Sequence, residues 1–241
     1  MDLKESGLVD VETHWYYQSK LVPFKQSLKK YSKNARRTID IGAGSGFFAR
    51  SLTDFDNGGT AICVDPNYSI ESTERNGTLI FVREIDNSSA DLYLFVDVLE
   101  HVEDDLMLLK RYTTNAPGGA LIMISVPAFQ SLWSSHDEFL GHFRRYRLRQ
   151  VRELIEKADL QIIQCNYIFG LIFPIAWFVR KLKRTESPSS DLSPIPKPFN
   201  WLLLKLLKVE HRSSINKLAG LSLFAVARVP IERQHRNQSD Y

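Results

Sequence analysis

The sequence predicts a doubly wound α/β fold with a mostly parallel, seven-stranded sheet and a helical insertion between the last two strands. Two observations indicate this fold. Short, continuously apolar segments of strand length alternate with segments of helical length along residues 36–169, as in a parallel sheet covered by helices on both faces. The 241 residues are 44% hydrophobic, which suffices to fill the core of one large domain.

The elements follow one another in a regular order. Residues 11–33 predict a first helix, because Trp15, Leu21 and Leu28 recur near helical spacing, with a bend or break expected at Pro23. Apolar runs bounded by turn residues predict the seven strands at 38–41, 61–64, 78–82, 92–96, 120–126, 160–168 and 222–229. Further helices are expected from Phe47 onwards, at 104–112 and at about 147–158, and a polar, aromatic loop is expected at 127–146.

This order divides the chain into a lid region, a core and an insertion. The core comprises residues 36–169 and 221–230, preceded by an N-terminal lid helix region at 1–35. The insertion covers 170–220, and a polar tail covers 231–241. Within the insertion, residues 187–198 are rich in serine and proline, which predicts an irregular linker.

The N-terminus and the two cysteines predict the compartment. Residues 1–5 contain acidic side chains and no apolar run follows a basic start, so we expect neither a signal peptide nor a transit peptide and a cytoplasmic protein. Cys63 and Cys165 lie inside apolar strands without metal-type spacing. This placement favours reduced thiols in the core.

The net charge of +3 conceals an uneven distribution. Residues 47–143 contain 5 Lys and Arg against 15 Asp and Glu, whereas residues 144–241 contain 18 against 8. The basic third is either an ordinary solvated surface or a surface for anionic lipid, nucleic acid or a phosphorylated substrate. Nucleic acid is the weaker of these partners, because the cations are mixed with long aliphatic runs and no recognition fold is visible.

The turn after the first strand predicts a nucleotide-like ligand. Gly42 permits a tight turn, Gly44 a close approach of ligand to backbone, and Gly46 close packing of the following helix. Asp65 ends the second strand, where a carboxylate can accept both hydroxyls of a ribose. NAD and S-adenosylmethionine share that ribose, so Asp65 does not separate them.

The glycine spacing does favour one of them. Residues 40–46 read DxGxGxG rather than GxGxxG, which resembles motif I of the class I S-adenosylmethionine-dependent methyltransferases. Residues 91–105, DLYLFVDVLEHVEDD, resemble the fourth-strand segment of that family, and Pro117-Gly118-Gly119 before the fifth strand is typical of it. With the start at 12–16, the chain resembles subfamilies of type 11, 12 or 23 over residues 12–165.

The resemblance implies a seven-stranded Rossmann-like methyltransferase fold and S-adenosylmethionine as cofactor. It associates Asp40 with the ammonium group of the cofactor, and His101 more often with support of the cofactor site than with a base. The chain departs from the pattern at 84–86, where the family often has an aspartate flanked by small residues. The implied cofactor-binding residues are Asp40, Gly42, Ala43, Gly44, Gly46, Asp65, Pro66, Glu84, Asp97, Val98, Leu99 and His101.

The methyl acceptor is expected at the loops after the fourth and fifth strands, because ligands bind beyond the carboxyl ends of the strands in such sheets. A positioned histidine can deprotonate an acceptor near neutral pH, which makes His136 or His142 the candidate general base. The candidate catalytic set is His136, Asp137, His142 and Tyr146. Two imidazoles and the Asp137 carboxylate also permit a metal, but loop spacing of this kind is unspecific, and no metal is predicted.

Further residues are candidates for substrate binding. Arg144 and Arg145 either clamp a carboxylate or phosphate of the substrate or form an ion-pair network with Asp137 that holds the loop. His14 and Trp15 belong either to a lid across the cofactor or to simple packing of an amphipathic helix. The candidate substrate-binding set is His14, Trp15, Trp133, Arg144 and Arg145.

The insertion has apolar stretches beside basic residues. Residues 167–179 carry no charge and precede four cations within 180–184, and residues 201–208 combine Trp, Leu and Lys. Thirteen residues are too few to span a bilayer, which needs about 20. Such stretches suit either a helix lying in the headgroup region of an anionic membrane or a helical cap over the substrate pocket or at a dimer contact.

The sequence therefore predicts a methyltransferase acting on an O or N atom of a small or lipid-linked acceptor, such as a glycan intermediate or a quinone-like ring. Relatives of types 11 and 12 include enzymes resembling 3-demethylubiquinone O-methyltransferases. The alternatives are an inactive cofactor-binding module that holds a partner at a membrane, and a nucleic-acid methyltransferase.

Overall fold

The computed structural model describes residues 9–32, 35–86, 89–182, 190, 194–210, 216 and 218–231. The helices are α1 Trp15–Tyr31, α2 Phe47–Leu52, α3 Asp105–Thr113, α4 Ser135–Leu140, α5 Leu148–Lys157, α6 Phe173–Leu182 and α7 Lys197–Glu210. The strands are β1 Arg37–Ile41, β2 Thr60–Val64, β3 Ser72–Glu74, β4 Leu79–Val82, β5 Leu92–Val96, β6 Leu121–Pro127, β7 Gln161–Ile168 and β8 Ser222–Arg228.

One sheet contains all eight strands in the order β3-β4-β2-β1-β5-β6-β8-β7. Strands β4, β2, β1, β5 and β6 are parallel, and β8 lies antiparallel between β6 and β7. The predicted doubly wound α/β class is therefore confirmed. The strand count of seven was one too low, because the exposed edge strand β3 is polar and is held by pairing with β4 rather than by burial.

Helices cover both faces of the sheet because alternate residues of each strand point to opposite sides. In β5, Tyr93 and Phe95 belong to the core cluster formed with α3 and α5. Leu92, Leu94 and Val96 belong to a second cluster with α1, α2 and Leu207 of α7. The continuous apolar strands that the sequence shows thus serve two separate cores.

Three predicted boundaries differ from the structure. Helix α1 covers Trp15–Tyr31 rather than 11–33, and it continues without a break through Pro23. Residues 127–146 are not only loop, since they include α4 and a 3₁₀ turn at Gln130–Leu132. Lys197 and Pro198 begin α7, where proline fits the first turn, and half of the predicted linker, 187–189 and 191–193, lies outside the described residues.

The insertion packs onto the first helix. Asn200 of α7 accepts the backbone N–H of Trp15 at 2.8 Å and donates to the carbonyl of Thr13 at 2.9 Å. Glu210 at the other end of α7 is buried and accepts the N–H of Gly170 at 2.7 Å, just after β7. Among the described residues, the helices are all too short or too polar to cross a membrane.

Candidate functional site

The site lies at the carboxyl edge of the parallel strands, where the backbone is unusual. Asp97 directly after β5, Phe129 two residues after β6 and Phe169 directly after β7 all have positive φ, at 50°, 56° and 64°. Such angles are uncommon outside glycine and gather at functional sites. The ends of three strands are thus shaped by tertiary contacts rather than by local preference.

The glycine turn between β1 and α2 has no room for side chains. Gly42, Gly44 and Gly46 all have positive φ. An added Cβ at Gly42 would lie 2.4 Å from Cγ2 of Val98, and one at Gly46 would lie 2.9 Å from the ring of Phe81. The turn therefore requires glycine at Gly42 and Gly46, while Ala43 between the glycines is buried. Contact of this backbone with the cofactor stays a prediction.

Two buried carboxylates flank this turn. Asp40 accepts the N–H of Ala49 at 3.2 Å, and Asp65 accepts the N–H of Gly44 at 3.1 Å. Tyr68 donates its hydroxyl to the carbonyl of Gly44 at 2.7 Å. Carboxylates at the ends of neighbouring strands suit an ammonium group and the hydroxyls of a ribose, so these residues fit a nucleoside-linked amino acid such as S-adenosylmethionine.

Burial raises the pKa of Asp40 from 3.8 to about 7, with a smaller opposing effect from the hydrogen bond of Ala49 and a further increase from Asp65. The ionised carboxyl is therefore poorly compensated by the protein itself. A cationic group of a ligand would supply the missing compensation.

Two other predicted cofactor residues lie at the surface. Pro66 is exposed after β2, and Glu84 is exposed after β4, where it lies 3.8 Å from the Arg111 guanidinium. Their contact with an adenine or ribose stays a prediction.

A buried ion pair next to the turn was not predicted from the sequence. Lys20 of α1 is fully buried and donates to the Asp97 carboxylate and, at 2.7 Å, to the hydroxyl of Tyr16. Burial alone raises the pKa of Asp97, but the charge and the hydrogen bond of Lys20 outweigh it and hold that pKa below its ordinary value. The signal in the sequence is a lysine one helical turn after Tyr16 on the apolar face of α1.

Residues 127–146, which begin with the last residue of β6 and are called the acceptor loop below, are tied to the segment that follows β5. Phe143 donates its N–H to the carbonyl of Glu100 at 2.7 Å, Arg144 lies 3.2 Å from the Asp105 carboxylate, and Tyr146 donates its hydroxyl to Asp105 at 2.8 Å. Burial first, and the Asp105 charge next, raise the pKa of Tyr146, so its phenol stays protonated. Val98 and Leu99 precede Glu100 in the segment at 97–105, with Leu99 buried.

Asp137 sets the orientation of His142. Its Oδ1 lies 2.8 Å from Nδ1 of His142 and 2.7 Å from Nε of Arg145, and its Oδ2 accepts the N–H of Ser134 at 2.9 Å. Burial raises the pKa of Asp137, but the hydrogen bond from His142 and the charge of Arg145 bring it well below its usual range. Asp137 is thus an ionised acceptor for a proton on Nδ1 of His142, and Nε2 is the ring nitrogen that Asp137 does not contact.

Three histidine rings lie close together beyond the carboxyl ends of β5 and β6. The ring of His142 packs edge-on against that of His101 with centroids 4.6 Å apart, and the ring of His136 lies 6.4 Å from that of His142. Glu100, which belongs to the segment 91–105 that carries the family resemblance, is buried beside them. Its burial was not predicted, because a glutamate within a family motif gives no sign of it.

The remaining candidates have other contacts. Arg145 forms the ion pair with Asp137 that was considered from the sequence, whereas Arg144 pairs with Asp105 instead, and a substrate clamp stays a prediction. His14 is buried and packs near Trp15, whose ring meets Phe169 edge-on with centroids 6.3 Å apart. Trp133 is half-buried in the acceptor loop.

The Cys63 and Cys165 thiols are free, and burial raises the pKa of Cys165 to about 11, so it is not a thiolate at neutral pH.

Comparison with known proteins identifies the family. Residues 14–165, more than half of the chain, match the model of a family described as a methyltransferase domain. No curated protein matches the chain.

Solved structures share the fold at low sequence identity. The complex of a putative methyltransferase with the Trm112 methyltransferase activator from Haloferax volcanii matches at a TM-score of 0.55 and 18% identity, covering 91% of this chain and 90% of that one. A SAM-dependent methyltransferase from Archaeoglobus fulgidus matches at 0.53 and 16%, covering 94% and 98%. Phosphoethanolamine N-methyltransferase 2 of Haemonchus contortus, in complex with S-adenosyl-L-methionine, matches at 0.51 and 20%, covering 87% of this chain but only 52% of that one.

Proposed function

Because the chain belongs to the methyltransferase domain family and is a class I S-adenosylmethionine-dependent methyltransferase, we propose that it methylates an O or N atom of a small or lipid-linked acceptor. The observation that carries this proposal is the cluster around His142 at the carboxyl ends of β5 and β6. There an oriented imidazole stands beside the edge at which doubly wound sheets bind their ligands.

In this proposal the cofactor-binding residues and the cluster around His142 have different roles. When bound, S-adenosylmethionine supplies an electrophilic methyl group on its sulfonium. Asp40 and Asp65 bind the ammonium and ribose hydroxyls, and Lys20 with Asp97 fixes α1 over the same edge. The cluster around His142 removes the proton of the acceptor, which a hydroxyl must lose to become a good nucleophile.

Two helices of the insertion support a lipid-linked acceptor. Helix α6 exposes Ile175, Phe178 and Val179, and its Arg180 donates to the carbonyl of Leu132 in the acceptor loop at 3.1 Å. An apolar helix in contact with the acceptor loop is suited to a substrate that reaches the site from a membrane, such as a lipid-linked glycan intermediate or a lipid-linked quinone-like ring.

Helix α7 supports the membrane contact. The helical period places Phe199, Leu202, Leu206 and Val209 in one exposed stripe, with Lys205 beside it. Exposed lysines next to an apolar stripe complement anionic lipid headgroups. We therefore place the enzyme at the cytoplasmic face of an anionic membrane.

The direct test is transfer of a labelled methyl group from S-adenosylmethionine into a lysate that is then separated into lipid, small-molecule and macromolecular fractions. Label in the lipid or small-molecule fraction is expected. Label confined to nucleic acid or protein would contradict the proposed acceptor class, and no label in any fraction, with cofactor binding intact by calorimetry, would support the inactive cofactor-binding module instead.

Substitution of the two loop histidines tests the cluster. His142→Gln is expected to lower kcat by about 10²-fold or more, the range of general acid–base effects, because it removes the imidazole that Asp137 orients. His136→Gln is the matched control on the same loop and is expected to keep kcat within about 10-fold. Equal loss in both variants, or full turnover in His142→Gln, is incompatible with this assignment.

A further inference from the structure

The cluster beyond the carboxyl end of β5 contains a buried carboxyl group without a partner. Glu100 is 1% exposed, and neither of its carboxyl oxygens has a hydrogen-bond partner among the described residues. A buried carboxyl in this state either stays protonated or meets a cation, since a bare ionised carboxylate away from water is strongly unfavourable. A catalytic base at His142 alone gives Glu100 no role.

The neighbours of Glu100 are metal-ligating groups. One donor atom each of Glu100, His101 and His142 lie within 4.8 Å of one another. Because Nδ1 of His142 is bound to Asp137, Nε2 is the nitrogen left for a ligand. A histidine whose other nitrogen is held by a carboxylate is the common arrangement of a metal-bound imidazole.

We propose that Glu100, His101 and His142 bind one divalent transition-metal ion at the acceptor end of the cofactor site, with Asp137 positioning His142. Two imidazoles and one carboxylate suit Zn²⁺, Co²⁺ or Fe²⁺ better than Mg²⁺ or Ca²⁺, which prefer oxygen ligands. This ligand set differs from the loop set considered from the sequence, in which His136 and Asp137 took the places of Glu100 and His101.

The inference rests on the proposed function and gives the cluster its chemistry. The ion would bind the hydroxyl oxygen of the acceptor and lower its pKa, so that the O–H bond breaks with the proton passing to water and the electron pair remaining on oxygen. His142 is then a ligand, and deprotonation depends on the ion rather than on a free imidazole.

Two hydrogen bonds connect the segment after β5 with the loop that carries His142. The N–H of Phe143 is bound to the carbonyl of Glu100, and the Arg144 guanidinium donates to the carbonyl of Glu103. The segment after β5 and the acceptor loop are thereby fixed relative to each other, as a three-residue site drawn from two segments requires.

The test titrates Co²⁺ into chelator-treated full-length protein, because Co²⁺ reports its ligands through visible absorption bands. We expect one equivalent of Co²⁺ to bind, to give the visible absorption bands of a site with few ligands, and to raise the Tm of the protein. Glu100→Gln and His142→Asn are expected to weaken binding by more than the roughly 10- to 100-fold of Asp137→Asn, which alters only a positioning residue. Glu138→Gln and His136→Asn, an exposed carboxylate and a histidine of the same loop, are the controls and should bind like the wild type.

Absence of stoichiometric binding to the wild type, or unchanged binding by both Glu100→Gln and His142→Asn, would overturn the site. If Glu100→Gln does not fold, His101→Asn replaces it. Calorimetry with S-adenosylmethionine on the chelator-treated protein separates the two proposals: cofactor binding without metal binding removes only this inference, whereas loss of cofactor binding removes the proposed function.

Discussion

Asp40 illustrates at the level of one residue how burial prepares a site for a cation. Its pKa of about 7 means that the carboxyl is mostly protonated at pH 6. An ammonium group placed beside it favours the ionised form, so the pKa falls on binding and a proton leaves.

We therefore expect S-adenosylmethionine binding at pH 6 to release close to one proton, measured by calorimetry in buffers of different ionisation enthalpy. Asp40→Asn should bind more weakly and release none from this position. Asp65→Asn is the comparison, since it should also weaken binding but leave most of the proton release in place, because the Asp65 charge contributes less than burial to the raised pKa of Asp40. Proton release that is unchanged in Asp40→Asn would separate Asp40 from the cofactor ammonium.

Gly42 shows the second residue-level constraint, which is steric. Alanine at this position would need a left-handed backbone, at about 1–2 kcal/mol, and would place its Cβ 2.4 Å from Val98, at about 1–3 kcal/mol more. Gly42→Ala is thus expected to lower the free energy of unfolding by about 2–5 kcal/mol in urea denaturation.

The control for Gly42→Ala is Gly77→Ala, where φ is +84° but nothing lies within 4 Å of an added Cβ, so only the backbone contribution should appear. Combining Gly42→Ala with Val98→Ala should recover only part of the steric loss, because the Cβ that remains at Val98 would still lie 2.8 Å from the added Cβ. Equal effects at Gly42 and Gly77 would mean that Val98 does not define the shape of the turn.

At the level of elements, the core strands were predictable and the short polar elements were not. The apolar runs at β1, β2 and β5 predict their strands to within a residue, because burial on both faces leaves no other use for them. Strand β3 has no such run. Helix α4 is six residues long, and its signals, Ser134 followed three residues later by Asp137 and then Gly141, are weaker than its loop-like composition.

The candidate site could likewise be predicted only in part from the sequence. The glycine turn was predictable because its residues are consecutive, whereas Lys20 with Asp97 and Glu100 with His142 are pairs distant in sequence that only the fold brings together. The sequence left His136 and His142 equivalent. The distinction comes from Asp137, which bonds His142 five residues later across the end of α4.

The contact between α7 and α1 gives a prediction about these elements. Asn200→Ala removes the acceptor for the first N–H of α1 and the donor to Thr13, so we expect a loss of about 1–2 kcal/mol in the free energy of unfolding. Hydrogen exchange at the Trp15 amide should accelerate. Asn200→Asp keeps the acceptor and should retain protection at Trp15, whereas unaltered exchange in Asn200→Ala would show that α7 does not hold the lid.

At the level of the whole molecule, exposed lysines and an exposed apolar stripe of the insertion lie together on one face of the sheet. Helix α7, with exposed Lys197, Lys205 and Lys208, packs on the face that also carries α1 and α2. Helices α3 and α5 cover the opposite face. A protein with its lysines and its exposed apolar stripe on the same helix is suited to approach an anionic surface in one orientation.

We expect the protein to float with vesicles of equal parts phosphatidylglycerol and phosphatidylcholine at low salt, and to bind less at about 0.5 M salt, where charges are screened beyond a few ångströms. Lys205→Glu with Lys208→Glu should weaken binding by about 30-fold or more, since each lysine near such a surface contributes roughly 1 kcal/mol. Lys110→Glu with Lys157→Glu changes the same charge on α3 and α5 and should bind nearly as the wild type does.

Leu206→Ser should reduce the binding that remains at high salt, because the stripe acts by burial rather than by charge. No binding to anionic vesicles at low salt, or equal losses in the two double variants, would leave α7 as a cap over α1 without a role at the membrane.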